Sequence, residues 1–250
     1  MNLLNLFSNK PVTFNVSSVK YKKPIDQQLV DKLLGFLSKT HHHKIMVRIT
    51  EEINTLIAST LLKQAVGENM IAMIFDFGTA QTENLVGICK TLKLNAYVLK
   101  RGAASQAELS SYRLHSQSEI RNFYQRFINY HLLIQADIMR AAVLDTIDKS
   151  DRLLSTRPEG FHGHFMPFYS LYKSELFELA SFLKIPFDNL PTYQDLTYDK
   201  LDPVLYLLTE KQLSPEEISQ KYTIDLNFLK RLKSHIDKQL FQTTISQFII

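Results

Sequence analysis

With 250 residues, 45% of them hydrophobic, and 29 Lys and Arg against 25 Asp and Glu, the chain can bury a substantial core and is too evenly charged to be a basic nucleic-acid tract. Its formal net charge is +4 and its pI is near 9.0. The single cysteine, Cys89, excludes an intrachain disulfide framework and a cysteine metal cluster, and no run reaches the ~18 apolar residues of a membrane span. The first residues, MNLLNLFSNKPVTF, lack a basic leader and a small-residue cleavage site, so the expectation is a soluble, cytoplasmic protein.

In chain order, residues 1–24 read as irregular or strand-like, and a helix begins near Pro24, with Ile25, Leu29, Val30, Leu33, Leu34 and Leu37 on its apolar stripe. Residues 44–49 (KIMVRI) form a short buried strand. Thr50 then opens a helix whose apolar positions are Ile53, Leu56, Ile57, Thr60 and Leu61. A second strand spans 70–76, a helix 82–92 and a third strand 95–100, followed by a polar stretch, 101–118, expected as a mobile loop. A long helix over 119–136 leads into a fourth strand at 139–145. Beyond a loop rich in glycine, proline and histidine, 170–184 is helical, as is the chain from Asp202 onward. Alternating strands and helices predict an α/β, Rossmann-like three-layer fold with a parallel sheet of four to five strands and a helical C-terminal portion. The expected division is an N-terminal segment and helix (1–43), an α/β core (44–190) and a C-terminal helical extension packed on it (191–250), within one domain overall.

The segment PFYSLYKSELFELASFLKIP, residues 167–186, resembles a stretch of the ammonia-dependent NAD synthetases, NPIGDLYKTQVWELARYLGIP, sharing the Leu171-Tyr172-Lys173 core. TYDKLDPVLYLL (197–208) resembles that family's YDxLD segment, and LSPEEISQKYTIDLNFLKRLKSHI its terminal helices. Asn122 and Arg126 fit its N-x-x-x-R-x-R-M pattern, with Ile128 and Asn129 in place of the second arginine and the methionine. The similarity spans roughly 44–236 in the right order and spacing.

The resemblance implies a two-step chemistry in which ATP and Mg²⁺ adenylate a carboxylate of the deamido dinucleotide and ammonia displaces AMP. It also implies nucleotide-binding positions at Thr50, Asn54, Thr55, Thr146 and Lys173, substrate contacts at Asn122 and Arg126, and a metal carboxylate at Asp151. The family's phosphate turn S-G-G-x-D-S stands here as Thr50, Glu51, Glu52, Ile53, Asn54 and Thr55. Two glycines have gained carboxylates, and the metal-binding carboxylate has become an amide. A pair of anions ~4 to 6 Å from a phosphate repels it by several kcal/mol at low effective dielectric. The simplest account of the pair is helix capping: Thr50 as N-cap, with Glu51 and Glu52 in the first turn interacting with the dipole by ~0.3 to 1 kcal/mol each. A cation held by Glu51 or Glu52 is the alternative.

The second phosphate segment, G-T-G-N-K-S-E in the family, reads Asp145, Thr146, Ile147, Asp148, Lys149, Ser150 and Asp151 here, and the lid is shortened to PTYQDL, 191–196. A short lid excludes water poorly from an adenylate. Lys173 is expected first as a solvated helix lysine and second as a phosphate contact.

Three other signals are weighed. His41, His42 and His43 alternate faces on an extended segment and cannot share one ion, and with His162 and His164 they are read as polar surface. The helices bearing Lys230, Arg231 and Lys233 have a helix-turn-helix outline, but the family resemblance already accounts for them as packing, so nucleic acid is not the expected partner. Cys89 lies within a helix and no G-x-S-x-G occurs, so no nucleophile set is expected. The helix around Phe123, Tyr124, Phe127, Ile128, Tyr130, Leu132, Leu133 and Ile134 has scarcely one polar face and predicts a covering subunit, hence a homodimer. The resulting expectation is an NAD synthetase-like, homodimeric protein that has lost ATP-dependent amidation and binds a dinucleotide or other small molecule, regulates or scaffolds. The alternative is an active synthetase, or another nucleotide-dependent ligase, with an atypical ATP loop.

Overall fold

Runs such as IMV, IAMIF and AAVL are apolar on both strand faces, and such runs pair in parallel between helical layers because each face needs its own cover. The computed structural model describes residues 15–39, 44–156, 163–187, 192–193 and 195–245, with side chains to residue 238. In it β1 (Lys44–Arg48), β2 (Met70–Asp76), β3 (Ala96–Lys100) and β4 (Ala141–Leu144) form one parallel sheet of order β3-β2-β1-β4. Ile45 is opposite Met70 on one side and Ala142 on the other, so β1 is central. The chain winds outward through β2 and β3, then returns to the opposite side of β1 as β4. That reversal creates a switch point between the carboxyl ends of β1 and β4, where ligands bind in open parallel sheets.

The helices fall on both faces. One face is covered by α1 (Gln27–Ser38), α2 (Ile53–Val66), α3 (Gln81–Thr91) and α7 (Lys173–Phe182), whose Leu33, Ile57, Leu85 and Leu176 pack with Ile45, Val47 and Ile74. The other is covered by α5 (Gln117–Met139), where Ile128, Leu132 and Ala136 meet Met46, Met73 and Val143. A further cluster joins α6 (Lys149–Leu154) to α8 (Tyr198–Thr209), α9 (Pro215–Tyr222) and α10 (Leu226–Ile245), with Leu201, Val204, Leu205, Leu229 and Ile236 fully buried. At ~1.5 to 3 kcal/mol per buried aliphatic side chain, this helical portion holds a core of its own. Val16 and Tyr21 of the N-terminal segment pack onto it. Lys230 pairs with Glu216 at 2.8 Å and Lys233 with Asp237, so these cations of the helix-turn-helix outline are tied to neighbouring carboxylates.

Several sequence-based boundaries are corrected. The 101–118 segment is not a loop throughout: α4 (Gly102–Ser111) occupies most of it. Its sequence GAASQAELSS lacks an apolar stripe, but its three alanines with Gln106, Glu108 and Leu109 supply intrinsic helix preference that suffices once Ser105 is anchored against the fold. The helix expected from Pro24 starts at Gln27, because Asp26 caps it by accepting from the Leu29 N–H at 3.0 Å. Helix 170–184 is shorter, beginning at Lys173. The C-terminal helical run begins earlier than Asp202, at Tyr198, and is broken into three helices.

A vestige of a fifth strand lies beside β4. Phe165 bridges Leu144 in parallel, the His164 N–H donates to the Val143 carbonyl at 2.8 Å, and Asp145 N–H to the Phe165 carbonyl at 3.0 Å. Gly163 is required there, since a Cβ would sit 2.8 Å from the Val143 carbonyl oxygen. His164 accepts the Val143 N–H through Nδ1 at 3.0 Å, a structural use of that nitrogen. His41, His42, His43 and His162 lie outside the described residues.

Candidate functional site

The β1–α2 turn differs from the capping arrangement its sequence predicts. α2 begins at Ile53, two residues later than expected, and its N-cap is Glu52, whose side chain makes no capping bond. Glu51 and Glu52 therefore precede the first turn instead of standing in it. Thr50 instead ties the turn together: its Oγ1 accepts the Glu52 N–H at 3.3 Å and bonds Thr55 Oγ1 at 2.9 Å. The two carboxylates project from an exposed turn at the switch point, where a phosphate turn presents bare N–H groups.

Behind this turn is a buried polar network. Lys173, expected as a solvated charge, is only 6% exposed. Its ammonium lies 2.6 Å from Asp148 Oδ2 and 2.9 Å from Asp151 Oδ2, and donates to Asn54 Oδ1 at 3.1 Å. Burying an ammonium is costly unless it is paired and hydrogen-bonded, and here three acceptors surround it. Asn54 Nδ2 in turn donates to Asp148 Oδ2 and to the Thr146 carbonyl, both at 2.8 Å. Asp148 Oδ1 also accepts the Asp151 N–H at 2.8 Å and so caps α6.

Two carboxylates share one ammonium in this interior. Burial, reinforced by the charge of Asp151, pushes the Asp148 carboxyl up to about 7, while the same carboxylates hold Lys173 firmly charged. Set beside the family pattern, the network shows a reciprocal exchange. The phosphate turn has lost a carboxylate at Asn54, and the β4–α6 segment has gained one at Asp148 where the family has asparagine. The acid and amide have traded places across a 2.8 Å hydrogen bond.

A third buried carboxylate locks the same helix ends. Asp202 of α8 accepts from Ser150 Oγ at 2.7 Å and from the Ser174 N–H at 2.8 Å, and burial raises its carboxyl to about 6. Ser150 Oγ also accepts the Lys173 N–H at 2.9 Å, so α6, α7 and α8 are cross-linked beneath Lys173.

Asn54, Asp151 and Lys173 of this network floor a cleft of about 1210 Å³. Thr50, Asn54, Asp151 and Lys173 line it, and Thr55 and Thr146 line a smaller cavity beside it, shared with Thr50. The structure thus brings together the residues expected at a nucleotide site and Asp151. It does not bring Asn122 and Arg126 to them: Arg126 is exposed, Asn122 half-buried, and neither lines either cavity. Gln125 is the α5 residue common to both cavities, joined by Asn129 in the smaller one. Sequence reasoning passed over Gln125, although its position one turn before Asn129 was the available signal. Tyr193, within the short hairpin of β5 (Thr192–Tyr193) and β6 (Leu196–Thr197), also lines the cleft, as does Tyr198.

The residues do not suit an added Mg²⁺. Asp151 Oδ1 accepts from Thr156 Oγ1 at 2.9 Å and Oδ2 pairs with Lys173. Among the described residues no group of three or more His, Cys, Asp or Glu is placed to hold a metal ion. The donor set serves an ammonium the chain already supplies.

An open parallel sheet with a polar cleft at its switch point defines a doubly wound α/β protein. A family model of NAD synthase matches residues 25–246, and the chain belongs to that family. The match reaches beyond the 44–236 span at both ends. The ammonia-dependent NAD(+) synthetase of Wolinella succinogenes is 26% identical over 216 residues, covering 78% of this chain and 83% of the relative. Among solved structures, the ammonia-dependent NAD synthetase of Campylobacter jejuni, in complex with nitrate, superposes with a TM-score of 0.71 at 21% identity, covering 87% of this chain and 96% of that one. The NMN synthetase of Francisella tularensis gives a TM-score of 0.68 at 19% identity, over 85% and 93%. At these identities the structural likeness shows the fold. Among the described residues no helix is long and apolar enough to cross a membrane.

Proposed function

We propose that this chain is a member of the NAD synthetase family that has given up ATP-dependent amidation and acts as a binding, regulatory or scaffolding homologue. The carrying observation is the charge arrangement at the switch point. Glu51 and Glu52 stand where a phosphate turn needs glycines, and the Lys173 ammonium behind them is already claimed by two carboxylates. One observation favours the other reading, an active synthetase with an atypical loop: the acid–amide exchange between Asn54 and Asp148 keeps one carboxylate in the network. Incubation with deamido-NAD, ATP, Mg²⁺ and ammonia separates the two. No NAD is expected above a protein-free control, and turnover that scales with protein concentration overturns the reading.

The proposal includes a homodimer in the cytoplasm. On α5, Tyr130 is 57% exposed and Ile138 68%, an apolar surface the single chain leaves uncovered. Phe127, by contrast, is buried within the chain against Phe77 and Phe123, so its substitution tests the core and not an interface. Light scattering should give a mass near twice 29.0 kDa. Tyr130→Glu combined with Ile138→Asp should weaken association by several kcal/mol, since each would bury an unpaired charge. A parent that is monomeric at micromolar concentration, or a variant that dimerises as well as the parent, removes α5 as the contact.

A further inference from the structure

We infer that the cleft takes an unphosphorylated nucleoside, not a nucleoside polyphosphate. This rests on the reading that the chain has left ATP chemistry, and it adds the class of ligand that the same cleft accepts. Four carboxylates, Glu51, Glu52, Glu83 and Asp151, line the cleft against two cations, Arg48 and Lys173. The Lys173 charge is matched internally by Asp148 and Asp151, so it offers a polyanion little. Two further cleft-lining groups lack a partner: an amide oxygen, which needs a donor from the ligand, and a phenolic hydroxyl, which pairs with a donor or an acceptor. Gln125 Oε1 and Tyr193 Oη are buried and have no hydrogen-bond partner within the described residues. Buried polar atoms are rarely left unpaired, and an amide oxygen needs a donor.

Phosphate oxygens at neutral pH only accept hydrogen bonds. Ribose hydroxyls and the exocyclic amines of bases donate them, and a carboxylate near the end of a strand is a recognised acceptor for ribose hydroxyls in dinucleotide-binding sheets. Leu56, Ile88 and Phe187 supply an apolar wall to the same cleft, suited to the flat face of a base. The lining therefore complements a molecule with one flat apolar part and several donors, and it opposes a chain of acceptors carrying negative charge.

The test is calorimetric titration of the full chain with adenosine, ATP, ATP with Mg²⁺, and pyrophosphate at matched ionic strength. Adenosine binds, ATP binds at least ~10-fold more weakly with or without Mg²⁺, and pyrophosphate gives no heat; a factor of ten corresponds to the ~1.4 kcal/mol of a modest charge repulsion. Glu51→Gln with Glu52→Gln, at exposed positions, narrows the adenosine preference by tightening ATP. Gln125→Leu weakens adenosine ~10-fold while leaving the far-ultraviolet circular dichroism of the parent. Equal or tighter binding of ATP than adenosine overturns the inference, as does the absence of adenosine binding. ATP binding without NAD formation sinks this inference alone, whereas NAD formation sinks the reading beneath it.

Discussion

Asn54→Asp lowers the folding stability of this chain by about 3 to 5 kcal/mol at pH 8, and adding Asp148→Asn restores most of the loss. The side-chain amide of Asn54 is a donor held at 2.8 Å from both Asp148 Oδ2 and the Thr146 carbonyl. A carboxylate at position 54 turns two hydrogen bonds into two acceptor–acceptor contacts and adds a third anion around one ammonium. In the double variant the donor returns from the other side, because the amide now at position 148 faces the carboxylate now at position 54. Lys173, 3.1 Å from the oxygen of residue 54, keeps two carboxylate partners. Asparagine caps a helix about as well as aspartate, so α6 keeps its start. Asp148→Asn alone should also destabilise, since Asp148 Oδ2 accepts from Asn54 and Lys173 and Oδ1 from the Asp151 N–H, so an amide nitrogen there must face one of these donors. Urea denaturation of the four proteins gives the coupling. Additive single effects would show that positions 54 and 148 do not share a network, and the exchange between them would then be coincidence.

The sheet was legible because its physics is local: β1, β2 and β4 are apolar on both faces, which only a sandwiched parallel strand explains. The missing amphipathic stripe hid α4, which forms on backbone propensity. The residues expected at the nucleotide site do lie together, without Asn122 and Arg126, but their arrangement was misjudged. Thr50, Asn54, Thr55, Thr146, Lys173 and Asp151 converge on the switch point, but nothing near Lys173 in the chain says it is buried. Its partners include Asp151, 22 residues away, and Asn54, 119 away, besides Asp148. Reading the first turn alone made Thr50 a cap, whereas Thr55 takes its hydroxyl and delays the helix. On α5 too many positions are apolar for periodicity to say which face is inward, and only packing distinguishes buried Phe127 from exposed Tyr130. Loss of glycines and gain of carboxylates were visible residue by residue. The exchange of acid and amide was not, because its two halves are 94 positions apart.

Lys173→Met should be as damaging as Asn54→Asp, and its damage should depend on pH. Methionine fills nearly the same space and needs no partner, so the change isolates the charge. It leaves Asp148 and Asp151 facing each other in a buried site without a counter-ion, a deficit of about 3 to 5 kcal/mol at pH 8. The pH dependence follows from the raised Asp148 carboxyl. A carboxyl whose pKa is higher folded than unfolded contributes stability that is fully present below its unfolded value, near 3.8, and lost as pH rises through its folded value, about 7 in the parent. Without the ammonium the folded value rises further, so the loss extends to higher pH in the variant than in the parent. The gap between the two proteins should therefore shrink by at most ~1.4 kcal/mol per pH unit per proton as pH falls from 8 to 5.5, when a proton replaces the missing charge. Chemical denaturation at both pH values measures it. A deficit of the same size at pH 8 and 5.5 would mean that Lys173 contributes packing and not charge balance; the description of the cleft floor as an ion cluster closed by the chain's own ammonium would then fail.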